Sequence, residues 1–184
     1  MQDNQSPATS GREQSWEQRF VETVIERCQN DKGLAARLRR ADSPATEYQS
    51  WELLGWFGVD LEKDYERLPF VTIAAAIAKS KSERNGSLRL GQAIASCYKE
   101  GNKDDQAKAR LRRLLACNDL AEVCRILRPV LTLVDSRVGQ PLDYVRLLRQ
   151  LRFFGFESGQ RTKTQWAQEF YGQPVDADKE EGAT

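Results

Sequence analysis

The side chains whose type and spacing could do chemistry in this chain are its arginines. Residues 110–134 read RLRRLLACNDLAEVCRILRPVLTLV and carry Arg110, Arg112, Arg113, Arg125 and Arg128, with Asp119 and Glu122 as the only acids nearby. A guanidinium keeps its charge at any physiological pH and presents a rigid fork of N–H donors that fits phosphate or carboxylate oxygens. Further cations recur at Arg37, Arg39 and Arg40 with Lys32 beside them, at Lys79, Lys81 and Arg84, and at Arg161 and Lys163. This chemistry is binding of an anionic partner rather than catalysis. The competing readings are an ordinary solvated face and ion pairs formed within the fold.

The remaining residue types exclude much. The chain has no histidine, so it offers no Ser-His-Asp or Cys-His chemistry and no histidine metal ligand. Cys28, Cys97, Cys117 and Cys124 form no C-x-x-C pair, and each lies in an apolar helical pattern. They read as small core residues kept reduced. No Gly-rich phosphate loop of the G-x-x-x-x-G-K or G-x-G-x-x-G kind occurs. Only carboxylates remain for catalysis, and none form a pair in an apolar pattern. The expectation is no enzyme, no cofactor and no metal site.

A net charge of +1 hides a partition along the 184 residues. Residues 1–78 hold nine basic and thirteen acidic side chains, whereas residues 79–171 hold eighteen basic and ten acidic. An excess of +8 in one block points to an anionic partner more directly than the balance of the whole chain does. No run of 18 apolar residues exists, and the polar opening MQDNQSPATSGREQ does not read as a signal peptide. A cytoplasmic location, with no membrane contact, is the default expectation.

The elements that must hold these cations are helices. Trp16, Phe20, Val21, Val24, Ile25 and Cys28 make one stripe of a helix over 13–28. Leu34 and Leu38 share a face of a second helix, which Pro44 stops. Tyr48, Trp51, Leu54 and Phe57, with Trp56 beside them, fall at helical spacing and read as the aromatic anchor of the N-terminal lobe, packed in its core; the alternative is exposed rings that stack on bases. The run FVTIAAAIA at 70–78 is alanine-rich and predicts a helix in the middle of the core, with Pro69 in its first turn or kinking it. Residues 79–88 read as a flexible basic loop with a turn at Asn85-Gly86. Another helix should run from about 87 to 99. Asp119 and Glu122 form an Asp version of the capping box, so a helix should begin there and kink at Pro129. Pro141 should stand at the first position of the next helix, with Leu142, Val145, Leu148, Leu151 and Phe154 inward and Arg146, Arg149 and Arg152 turned away. Residues 155–160 read as a turn. The last helix, over 162–171, carries Trp166 and Phe170 inward and has Arg161 and Lys163 at its start, where cations oppose the helix dipole. The expected class is all-α, eight or nine helices packed as two small lobes over 13–80 and 87–171. Disordered segments are expected at 1–12 and over the acidic tail 172–184.

The segments GLAARLRRADSP (33–44), SLRLGQAIA (87–95), RLRRLLACNDLAEVCRILRPVL (110–131) and TQWAQEFYG (164–172), in this order, resemble the CasB family, the small subunit of Cascade, the type I-E CRISPR interference complex. The resemblance runs from about Trp16 to Gly172. It departs at Arg89-Leu90, where a tighter S-L-G run is spread out, and at Pro129, which interrupts a usually plain helix. The resemblance implies an all-helical, non-catalytic protein, two copies of which sit head to tail against the backbone and large subunits. There they support the duplex of guide RNA and target DNA and hold the displaced DNA strand. It carries nucleic-acid contact onto Arg39 and Arg40 in the LRR motif, onto Arg128, and onto Arg161 and Lys163. Arg110, Arg113 and Arg125 are similar to basic positions of the family's preceding helices. Lys79, Lys81 and Arg84 join on charge alone. For each, an ion pair with the acidic N-terminal half is the alternative. For the whole chain, the alternative is a helical adaptor that binds only protein.

Overall fold

A computed structural model describes residues 14–172. The expectations of disorder for 1–12 and for the tail from 173 onward lie outside the described residues. Within them the chain is all-α. Its nine helices are α1 Trp16–Asn30, α2 Lys32–Arg40, α3 Trp51–Trp56, α4 Asp64–Ser80, α5 Leu90–Ser96, α6 Asp105–Ala116, α7 Leu120–Arg137, α8 Tyr144–Arg152 and α9 Phe156–Tyr171. Short 3-10 segments, Pro44–Ser50 and Gly101–Lys103, precede α3 and α6.

The centre of the molecule is α4. Every residue of Phe70–Ala78 is buried, and the helix packs against α1, α2, α7 and α8. Small alanine side chains let four helices approach one axis. Pro69 is the sixth residue of α4, beyond the first turn, and the helix runs through it. A continuous apolar cluster joins Phe20 and Val24 of α1 through Phe70, Ile73 and Ile77 to Leu127 of α7, Leu148 of α8 and Trp166 of α9. Each large side chain in it contributes about 1.5–3 kcal/mol through burial. Three cysteines, Cys97, Cys117 and Cys124, are buried in this core, and Cys28 is half-buried. Burial pushes the Cys28 and Cys124 thiols up to about 11, which fits inert core residues.

Several local expectations give way. The aromatic anchor is core only in part: Leu54 and Phe57 turn inward as expected and Leu53 joins them, but Tyr48, Trp51 and Trp56 are exposed. Pro44–Ser50 winds as a 3-10 helix, so one helical wheel over 46–58 puts the wrong side chains inside. The 79–88 linker is pinned rather than flexible. The Asn85 side chain accepts from the backbone N–H groups of Tyr144 and Val145 and donates to Asp143. The Gly86 N–H donates to the Leu142 carbonyl at 2.9 Å, and a Cβ at Gly86 would stand 1.8 Å from the Pro141 carbonyl oxygen. This leaves Pro141 outside α8, whose N-cap is Asp143, its carboxylate accepting from the Arg146 N–H. The helix expected over 87–99 is shorter, because 86–88 run extended beside Leu142.

The start of α7 follows the capping pattern with one change. Asp119 accepts from the Glu122 N–H at 2.8 Å, and the Glu122 carboxylate reaches one residue further back, to the Asn118 N–H. Pro129 lies inside α7, which continues to Arg137. At the other end, the turn read over 155–160 is the first turn of α9, with Gly155 as its N-cap. Arg161 and Lys163 therefore sit in the second turn, where the dipole penalty inferred for them does not apply. Packing of α9 on α5 requires Gly91: a Cβ there would stand 2.3 Å from the Trp166 carbonyl oxygen and 2.6 Å from the Phe170 nitrogen.

Candidate nucleic-acid interface

Some of the cations are matched by carboxylates inside the fold. Asp42, just past α2, holds the Lys79 ammonium in a short contact and lies 3.9 Å from Arg128 Nε. Buried Glu47 accepts from Arg67 Nε at 2.6 Å and lies 3.8 Å from an Arg128 terminal nitrogen. The Arg128 side chain is only 10% exposed. Lys79 and Arg128 thus join the α2–α3 connection to α4 and α7. A second junction stands at Glu17, buried at the start of α1. It pairs closely with Arg152 and at 3.9 Å with Arg149, both on α8. The Arg152 guanidinium also lies over the Trp16 ring, 4.4 Å from its centroid. Burial pushes the Glu17 carboxyl up, but its backbone hydrogen bond, Arg152 and Ser15 outweigh this, so its pKa is lowered. Glu169 of α9 makes a third junction, accepting from Arg146 at 2.9 Å and from the Gly91 N–H at 3.2 Å. Part of the sequence's charge asymmetry is therefore spent on joining acids of the N-terminal half to arginines of α7 and α8.

What remains falls in three places. The first is a groove of about 400 Å³ between α1, α2 and the linker, lined by Cys28, Gln29, Lys32, Ala35, Arg39, Ala78, Lys81, Ser82 and Glu83. Gln29 donates to the Glu83 carbonyl and holds the linker against α1. Lys81 adopts φ 51°, the left-handed region, at the C-terminal cap of α4. A non-glycine residue there costs about 1 kcal/mol, and the bend turns the chain from α4 along the groove. Arg39 stands close enough to Cys28 to pull its thiol down against burial. Arg40 is exposed at the end of α2, and its carbonyl accepts the Thr46 hydroxyl. Exposed Arg84 follows on the linker.

The second place surrounds the α6–α7 turn. Burial, then Glu122, push the Cys117 thiol up, while Lys163 and Arg125 pull against them, so both cations stand near it. Arg113 is exposed on α6, and its carbonyl accepts from the Cys117 thiol. Arg125 is exposed, with Glu122 at 3.8 Å. Arg161 is exposed one turn from the start of α9. The third place is Tyr98, whose hydroxyl accepts from Arg110 Nε and whose ring lies 5.2 Å from the Arg137 guanidinium.

The structure thus brings Arg39 and Lys81 together with Lys32 around one groove, and sets Arg125 and Lys163 each on the Cys117 side of the α6–α7 turn. It sets Lys79 and Arg128 among carboxylates and Arg110 against a tyrosine. Sequence reasoning noted Lys32 without counting it as a site residue, because only the fold brings α2 against the linker. It also assigned Arg149 and Arg152 no partner. The signal was Glu17, an acid beside Trp16 in a helix otherwise read for its apolar stripe.

The model of a CRISPR-associated protein family, Cse2, matches residues 34–171 of this chain. The crystal structure of CasB from M. ruber superposes with a TM-score of 0.68 at 26% identity, over 86% of this chain and 94% of that one. A chain of a CRISPR RNA-guided surveillance complex superposes with a TM-score of 0.62 at 25% identity, over 84% of this chain and 90% of that one. CasB from Thermus thermophilus shares the fold with a TM-score of 0.70 at 21% identity, over 87% of this chain and 100% of that one. No curated protein matches the sequence. The match runs from within α2 to the end of α9, taking in the α4 core, Arg39 and Lys81 of the groove and the cations around the α6–α7 turn, and the chain belongs to the CRISPR-associated Cse2 family.

Proposed function

We propose that this chain is the small subunit of a Cascade-type RNA-guided complex, and that it holds nucleic-acid backbone without catalysing a reaction. The observation that carries the reading is the groove in which Lys32, Arg39 and Lys81 converge. After the internal carboxylates are matched, these side chains and exposed Arg40 supply cationic donors at the surface. Arg113, Arg125, Arg161 and Lys163 extend the same chemistry to the α6–α7 turn. Exchange of a DNA duplex for an RNA–DNA heteroduplex is nearly balanced in free energy, so contacts to phosphates tip it. Such contacts need positive charge along a track and no base-reading side chains. The duplex of guide RNA and target DNA and the displaced DNA strand are the partners of this charge. A second copy head to tail, with the backbone and large subunits, completes the proposed surroundings.

The test is fluorescence anisotropy of a labelled single-stranded DNA against the full chain across a salt series. The affinity should fall with salt at a slope of about −0.7 per phosphate neutralised. Arg39→Glu, Arg40→Glu and Lys81→Glu together should remove most of the affinity and flatten the slope. A triple variant that binds with the parent's affinity and slope would refute the groove.

A further inference from the structure

The cations around the α6–α7 turn have almost no partner inside the fold. Among the described residues, Arg113, Arg161 and Lys163 pair with no carboxylate, and Arg125 has only Glu122, at 3.8 Å with its own side chain 69% exposed. The nearby acids are used elsewhere: Asp119 and Glu122 accept from backbone N–H groups at the start of α7. Glu157, in the first turn of α9, forms no ion pair among the described residues.

The chain itself carries the opposite charge a short way off. Beyond Gly172 the sequence runs QPVDADKEEGAT: three uncharged residues, then Asp176, Asp178, Glu180 and Glu181 with Lys179 among them. Gly172 stands nine residues past Lys163, about 14 Å along a helix that rises 1.5 Å per residue. Extended chain covers about 3.3 Å per residue, so a segment running back along α9 carries Asp176 about 13 Å and Glu181 about 30 Å from Gly172. Its carboxylates then fall level with Lys163, Arg161 and the turn beyond them, and the uncharged residues span the end of the helix. The way back is open: Arg161, Thr164, Gln168 and Tyr171 are all exposed and share one face of α9. α9 packs chiefly on α5 and α6, whereas the groove of Lys32, Arg39 and Lys81 is built from α1, α2 and the linker.

We propose that the acidic segment 173–184 folds back along α9 and docks its carboxylates on Arg113, Arg125, Arg161 and Lys163, so that nucleic acid reaches these cations only by displacing it. The docking rests on charge and reach; its effect on nucleic acid rests on the reading of these cations as phosphate contacts. A tethered competitor acts at an effective concentration on the order of millimolar, and a longer track of phosphates overcomes it. The free chain is thereby shielded from stray nucleic acid at one of its two cation groups.

The test begins with zero-length carbodiimide cross-linking of the full chain and mass spectrometry of the joined peptides. Lys163 is the one lysine of the cluster, so the carboxylates of 176–181 should join to it within one chain. The yield should fall with added salt and with a single-stranded DNA oligonucleotide. Cross-links chiefly to Lys99, which lines the hollow beside Gly172, to Lys32 and Lys81 in the groove, or only between two chains would overturn the docking site. A full chain with Asp176→Asn, Asp178→Asn, Glu180→Gln and Glu181→Gln should keep the parent's melting midpoint. It should bind labelled single-stranded DNA roughly three- to tenfold tighter at low salt, and the difference should close as salt rises. The same neutralisation in an Arg161→Gln, Lys163→Gln chain should gain less, because the segment has lost its partners there. An equal gain in both backgrounds would mean diffuse repulsion and overturn the proposal. Cross-links to Lys163 with no DNA binding by either chain would sustain the docking and overturn the nucleic-acid reading.

Discussion

Replacing Arg152 with Met tests whether the arginines of α8 serve the fold. Methionine keeps the stem and removes the charge. Glu17 is 5% exposed, so the substitution leaves a buried carboxylate with its backbone and Ser15 hydrogen bonds and, among the described residues, Arg149 as its one paired cation, at 3.9 Å. Breaking a buried pair from one side costs about 3–5 kcal/mol. Arg149 retains part of the attraction, and the Arg152 side chain is itself 23% exposed, so the expected loss is about 2–4 kcal/mol. The lost stacking over Trp16 contributes about 1 kcal/mol of this. At about 2–4 °C per kcal/mol for a chain of this length, the melting midpoint should fall by roughly 5–12 °C. The assay is urea unfolding followed by tryptophan fluorescence, for Arg152→Met, Glu17→Gln and the double variant. The cycle should return a coupling of about 1.5–3 kcal/mol.

The pH dependence has a definite sign. The Glu17 carboxyl is held below its unfolded value, so its contribution is fully present above the usual carboxylate range and disappears as pH falls through the folded pKa. Glu17→Gln should therefore reduce the loss of stability on acidification. A cost below about 0.5 kcal/mol for Arg152→Met, or a coupling near zero, would refute the assignment of these arginines to the fold.

Other substitutions separate structure from surface in the same way. Arg128→Ala should cost about 1–3 kcal/mol by urea unfolding, since Asp42 and Glu47 keep Lys79 and Arg67, whereas Arg125→Ala, exposed on the same helix, should change stability by less than about 0.5 kcal/mol. Gly91→Ala should cost about 1–3 kcal/mol or more in the same assay, because a Cβ there meets the backbone of α9 at 2.3 Å. Asn85→Ala removes the acceptor for the first N–H groups of α8 and should cost about 1–2 kcal/mol, with faster amide hydrogen exchange at Tyr144 and Val145.

Legibility of the fold followed the kind of signal each element carried. Apolar stripes at helical spacing in 16–28, 120–134 and 142–154 put Phe20, Val24, Leu127, Val134, Leu148 and Leu151 in the core, as they stand. The alanine-rich run 70–78 was readable as the central helix, because only small side chains let several helices crowd one axis. The cap at Asp119 was readable because a carboxylate three residues before its N–H partner is a local device. Elements whose geometry depends on a distant partner were not. The 3-10 winding of Pro44–Ser50 rotates Tyr48 and Trp51 outward, and Gly155 starts α9 six residues ahead of the periodic signal.

The cation set divides along the same line. Residue type and spacing alone established an all-helical chain without histidine chemistry, a basic C-terminal half and an acidic N-terminal one. These are properties of single residues and of neighbours along a helix. Tertiary structure alone decided which cations meet carboxylates: Lys79 and Arg128 find Asp42 and Glu47, Arg149 and Arg152 find Glu17, while Arg39, Lys81 and Lys32 gather around an open groove. The reason is physical. An ion pair depends on separation in space, falling off with distance and growing with burial, and neither quantity is written in the spacing of residues along a chain.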